Sequence, residues 1–162
     1  MTGRLGSHPE NLSTVAIDGG YLLKQDLFDW PLDIYAKGGL SYFNEGTRDD
    51  TYEILTYIKA FYNLDFLDNR VRFGFGEGVS YTTSLLEAER YESSLDGGNT
   101  SKFLNYLDIS IDFDIGKLVG SQMWEDTYFG ILLKHRSGIY GLINNVADGG
   151  SNYNSVYLER KF

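Results

Sequence analysis

The chain has 162 residues, a formal net charge of −9 and no cysteine. Its length fits one domain, 1–162, and the lack of cysteine excludes disulfides and thiolate metal sites. The acidic balance argues against a nucleic-acid partner, because phosphate binding needs clustered Lys and Arg. Tyr (13), Phe (10) and Gly (19) are abundant beside only 2 Pro, which is typical of many strands with glycine at turns.

Alternating apolar and polar side chains predict a series of strands along the chain. The predicted strands, in order, are 11–23, 32–43, 51–66, 71–84, 101–116, 127–138 and 152–162. They are joined by a tight turn of Asp and Asn at 67–70, a long polar connection at 85–100, an intermediate one at 117–126 and a long one at 139–150. No segment keeps a 3.6-residue period beyond a turn or two, so the pattern predicts an all-β antiparallel meander.

The strand at 127–138 has two potentially catalytic side chains on its apolar face. Successive side chains of a strand point to opposite sides of the sheet. His135 and Ser137 therefore share a face with Phe129, Ile131 and Leu133, and Lys134 and Arg136 take the other face. The strand at 51–66 shows the clearest alternation, with Ile58 and Leu64 opposite Lys59 and Asp65.

Alternation alone fits two barrels. A soluble lipocalin-like ligand binder points its apolar side chains inward, whereas an outer-membrane barrel points them outward to lipid. The best strands exceed the ~9–11 residues of a tilted membrane strand, short and long connections alternate, and Tyr and Phe lie near strand ends as in interfacial girdles. The sequence therefore favours an antiparallel up-and-down β-barrel of the bacterial outer membrane, in contact with its lipids.

The two ends of the chain add two expectations. The alternating segment 156–162 closes on Phe162 and resembles the signal that barrel assembly machinery recognises in bacterial outer-membrane barrels. Because such barrels have even strand numbers, we expect an eighth strand before the first one, with residues 1–5 as its remnant and the rest missing or truncated. The start lacks the apolar region of a signal peptide, so either the protein is not exported or the sequence is a mature or trimmed piece.

An eight-stranded barrel is filled by side chains, so its lumen charges predict a packed ion-pair network.

The segment His135-Arg-Ser137, with the glycine-rich polar loop after it, a short last strand and Phe162, resembles the lipid A 3-O-deacylase (acyloxyacyl hydrolase-like) family of eight-stranded outer-membrane barrels. Phe75-Gly-Glu77 fits the same resemblance, as do residues 2–5. The resemblance implies a hydrolase of lipid A in lipopolysaccharide, with a His-x-Ser and a Glu at the start of the last strand. This chain has Gly138 where the family has Asn after the Ser, and no acid at 149–152.

The chemistry implied is ester hydrolysis without a metal or cofactor. A serine nucleophile needs a base within reach, and the base needs an orienting group. We predict Ser137 as nucleophile, His135 as general base and Asp148, brought back by the 139–150 loop, as the orienting acid. Backbone N–H groups near Gly138, or the pair at 144–145, would stabilise the oxyanion.

Two alternatives remain open at this point. The chain could be a non-catalytic structural or lipid-interacting barrel, in which His135 is an interfacial residue and Ser137 a polar strand end. It could also be the soluble lipocalin-like binder. Whether an acid lies within reach of His135 distinguishes the hydrolase from the non-catalytic barrel. Whether the apolar faces of 51–66 and 101–116 point outward or inward distinguishes the membrane barrel from the soluble binder.

Overall fold

The computed structural model describes residues 12–46, 49–96, 98–139, 141–146 and 150–162. They form one antiparallel sheet of seven strands in which each strand pairs with its neighbour in sequence. The strands are β1 (Ser13–Lys24), β2 (Leu32–Asn44), β3 (Thr51–Phe66), β4 (Asn69–Thr82), β5 (Phe103–Asp114), β6 (Thr127–Ser137) and β7 (Gly150–Arg160). The all-β meander is confirmed, and the predicted strand ends lie within two residues of the observed ones.

Helices occupy parts of two connections that were predicted as irregular. α1 (Glu87–Asp96) lies between β4 and β5, and α2 (Ile115–Val119) follows β5; 3-10 turns occur at Leu27–Asp29 and Gln122–Trp124. The loop prediction for 85–100 was wrong for a physical reason. The buried side of α1 consists of Glu89 and Ser93, after Leu86 at its start. That stripe is polar, so it carries no hydrophobic period for a pattern search to find.

The sheet curls around a polar interior, with its apolar face outside. Lys59 and Asp108 are 2% and 1% exposed, whereas Ile58 and Ile109, on the same strands, are 49% and 45% exposed. The predicted directions of both faces are confirmed. This is the reverse of the lipocalin-like arrangement, in which the aliphatic side chains would fill the interior.

The enclosed charges are paired with one another, as the sequence predicted. Lys59 Nζ lies 2.7 Å from Asp108 Oδ1, and Arg72 makes a two-pronged contact with Asp112, both bonds at 2.8 Å. The Arg72 guanidinium also lies 3.5 Å from the ring centroid of Tyr128. Pairing of this kind is what allows charges to be enclosed, since an isolated buried charge is strongly destabilising. Ion pairs of this kind therefore line the interior.

α1 covers the interior at the end of the sheet where β2, β4 and β6 finish, which we call the loop end. Leu86 packs with Phe43 and Tyr153 in a small apolar cluster. Glu89 extends inward to the Arg136 guanidinium and accepts a hydrogen bond of 3.0 Å from Ser151 Oγ. Burial raises the pKa of the Glu89 carboxyl above its ordinary value, and Arg136 opposes that shift.

β1 and β7 form the two edges of the curled sheet, and both run in the same direction because each strand is antiparallel to the next. Within the described residues no backbone ladder joins them. Both edges line one cavity of about 370 Å³, and Lys37 contacts Asp18 of β1 and Glu159 of β7. The expectation that these segments are close but not fully paired is confirmed; residues 1–5 lie outside the described residues.

Candidate functional site

His135 and Ser137 lie on the outer face of β6, at the loop end. Pairing on both sides fixes this orientation: Ser137 is opposite Asn105 of β5, and His135 is opposite Leu107. Lys134, which precedes His135, and Arg136, which lies between His135 and Ser137, are buried in the interior. The two side chains are half-buried, so they are reachable from outside the sheet.

The imidazole of His135 is held by an amide of the last strand. Its Nδ1 lies 2.8 Å from Asn152 Oδ1, and the two residues are directly opposite in the β6–β7 ladder. An amide oxygen only accepts, so the neutral tautomer that fits this contact has its proton on Nδ1 and donates a hydrogen bond to Asn152. In that tautomer the other ring nitrogen, Nε2, has a lone pair and can act as a base.

The His135 ring lies next to Gly150, beside the serine. It is the β7 residue directly opposite Ser137, and a Cβ placed on it would lie 3.6 Å from His135 Cε1. The ring therefore overlies Gly150 and reaches the row of Ser137. A side chain at 150 would also meet the carbonyl oxygen of Arg136. No hydrogen bond between His135 and Ser137 occurs among the described contacts, and such bonds commonly tighten only when substrate is present.

The predicted orienting acid, Asp148, lies outside the described residues. Glu159 faces the interior, where it contacts Lys37 and Arg72. Glu77 is on the outer face, but it is paired with Leu107 of β5, so two strand spacings, ~10 Å, separate it from His135. Among the described residues the group that contacts the imidazole is thus an amide. Asn152 falls within the 149–152 window, where only an acid was expected.

The side-chain amide of Asn144 holds the turn that follows β6. Its Nδ2 donates to Ser101 Oγ and to the Phe103 carbonyl, both at 2.9 Å. These bonds tie the turn that follows β6 to the start of β5. A backbone hydrogen bond, from the Ile143 N–H to the Gly138 carbonyl at 2.9 Å, closes the turn on itself. The side chain of Asn144 is therefore committed to holding this turn in place.

The described part of the chain contains no group of three or more His, Cys, Asp or Glu side chains placed to hold a metal ion. None of its described helices has the length and apolarity needed to cross a membrane. Comparisons with protein-family models, with curated proteins and with solved structures found no match to this chain.

Proposed function

We propose that this protein is a β-barrel of the bacterial outer membrane that hydrolyses an acyl ester of lipid A. The observation that carries the proposal is the shared outward placement of Ser137 and an Asn152-bound His135 at the loop end of β6. The rest of that face is apolar, with Phe129 and Ile131 exposed on the same strand. A serine and a base on such a face would meet an ester that lies within a lipid layer.

The outer surface supports insertion in a bilayer. Soluble monomers rarely expose apolar patches larger than a few hundred Å², yet apolar side chains project from every strand of this sheet. Tyr42 and Tyr52, with ring centroids 5.6 Å apart, mark the loop end, and exposed Trp30 marks the opposite end. From Tyr52 to Tyr62, β3 rises about 25 Å along the membrane normal at a ~40° tilt, which matches the apolar band of such barrels.

The stability of a variant with a charge on the outer face tests whether that face contacts lipid or water. Ile109 lies on β5 with Phe75 and Leu133 as its outward neighbours. Ile109→Arg should lower the free energy of unfolding by about 2–4 kcal/mol if this position meets the middle of a bilayer. The measurement is urea unfolding in phospholipid vesicles. Leu142→Arg, in the exposed turn after β6, is the matched control and should change little. Equal, small effects at both positions would show that the outer face meets water.

Closure of the barrel requires a strand between β1 and β7. These edges run in the same direction, so one strand of the opposite direction would pair antiparallel with both. The even number of strands in bacterial barrels supports such a strand. The alternation of β7, with exposed Phe162 after it, supports recognition by the barrel assembly machinery.

Cysteine pairs test that closure, because the chain has no cysteine of its own. With a strand between them, Ile17→Cys and Leu158→Cys would be ~10 Å apart, too far for a disulfide. In the full-length protein we expect no bond on oxidation, but capture by a bifunctional reagent of that length. Ile111→Cys with Ile131→Cys, directly opposite on β5 and β6, should oxidise readily. Rapid disulfide formation by the first pair would contradict an intervening strand.

The geometry supports acyl transfer through the serine. As Ser137 Oγ attacks the ester carbonyl, His135 Nε2 takes its proton and then gives it to the departing sugar oxygen. A water activated by the same nitrogen releases the fatty acid from the serine. Asn152 keeps the ring oriented throughout, as an asparagine does in Cys-His-Asn proteases. Insertion in the membrane positions the substrate, which replaces the pocket of a soluble enzyme.

Mass spectrometry of lipid A tests the proposal directly. Lipopolysaccharide vesicles containing the full-length protein should accumulate lipid A that has lost the mass of one acyl chain, and vesicles without the protein should not. The second candidate is a non-catalytic, lipid-interacting barrel. It is favoured by the amide, in place of an acid, on His135. Unchanged lipid A in both samples would support this second candidate and contradict the first.

A further inference from the structure

Asn105 is a buried polar side chain on the outer face of the sheet. It shares that face of β5 with Phe103 and Ile109, both of which are exposed. Asn105 itself is only 8% exposed, and no described hydrogen bond involves its amide. Its polar atoms are not among the fully enclosed, unpartnered atoms of the described residues, so a ligand or substrate atom can reach them from outside.

The amide lies beside the candidate nucleophile. Asn105 and Ser137 are directly opposite in the β5–β6 ladder, and such pairs have Cβ atoms ~4.5–5.5 Å apart on one face. The turn held by Asn144 is anchored two residues away, at Phe103. The ring of His135 overlies Gly150, on the opposite side of Ser137. The serine therefore stands between a base on the β7 side and an amide on the β5 side.

We propose that Asn105 is a catalytic residue whose Nδ2 donates a hydrogen bond to the oxyanion formed when Ser137 attacks the ester. The inference rests on the proposed function of the same site. During attack the carbonyl oxygen gains negative charge and needs a donor already in place. The base removes the serine proton from the β7 side, so the carbonyl oxygen turns toward β5. An amide without a partner meets this need because no existing bond has to break.

The test compares variants of the full-length protein in lipopolysaccharide vesicles, with released fatty acid as the readout. Asn105→Ala removes the donor, and Asn105→Asp keeps the shape but offers only acceptors once ionised. Each should lower kcat by ~10²–10³-fold with KM nearly unchanged, because the bond forms only in the transition state. Asn154→Ala is the matched control. Asn154 lies on the outer face of β7, opposite Leu133, and its loss should leave kcat at the wild-type value.

The outcomes separate this inference from the proposed function. If the wild-type protein shows no turnover that depends on Ser137, both are overturned. If Ser137-dependent turnover is present and a folded Asn105→Asp variant keeps wild-type kcat, only the role of Asn105 is overturned. Folding is followed by resistance of the barrel to trypsin. Should Asn105→Ala fail to fold, the near-isosteric Asp variant decides the question. A rise in KM with unchanged kcat would indicate a purely structural contribution and would also overturn the inference.

Discussion

Ser137→Ala should abolish the proposed deacylation of lipid A while the sheet stays folded. Removing the nucleophile of a hydrolytic triad lowers kcat by about 10⁴–10⁶-fold. Ser137 is half-buried at the end of β6, so the loss of one hydroxyl there should have little effect on packing. Lipid A mass spectrometry and fatty-acid release give the activity, and trypsin resistance gives the folding.

The control for this experiment is Ser94→Ala. Ser94 lies on α1 and donates only to the Tyr91 carbonyl, so its loss should not alter activity. His135→Ala should reduce kcat about as far as Ser137→Ala, and the double variant should be no worse, since the two groups act as a unit. Retention of activity by Ser137→Ala would overturn the enzymatic proposal and leave a structural barrel.

Asp112→Ala should be the most destabilising change in the interior. Both of its oxygens accept from Arg72 at 2.8 Å, and both side chains are almost fully buried. Removing Asp112 takes away the two-pronged partner of Arg72 and leaves the guanidinium with Glu159, at 2.9 Å. Breaking a buried ion pair in this way typically costs about 3–5 kcal/mol. The free energy of unfolding in urea, measured in vesicles, should fall by this amount.

The chain offers a matched exposed pair for comparison. Arg70 makes the same two-pronged contact with Asp65, at 2.8 and 2.9 Å, but at the surface. Asp65→Ala should therefore change stability by no more than about 1 kcal/mol. The double variant Arg72→Met with Asp112→Leu should recover most of the lost stability, because replacing a buried pair by apolar side chains is often neutral and Glu159 keeps its contact with Lys37. Equal losses for Asp112→Ala and Asp65→Ala would mean that water fills the interior.

Much of the fold follows from local pattern. Long strands with a strict period of two leave each side chain only two directions, so β3 was predicted with its observed limits, and Ile58 and Lys59 with their observed faces. The same reasoning placed His135 and Ser137 together on the outer face. Where the buried stripe is polar, as at Glu89 and Ser93 of α1, the pattern is silent and the helix was missed.

Only the tertiary structure decided which side chains are neighbours across strands. Glu89 meets Arg136 from 47 positions away in sequence, and His135 meets Asn152 from 17 positions away. Asn105 stands beside Ser137 because of the β5–β6 register. A strand's own alternation sets the face that a side chain takes, but contact between faces depends on register. Register is set by the ladder as a whole, and a shift of one residue would send every one of these side chains to the other face.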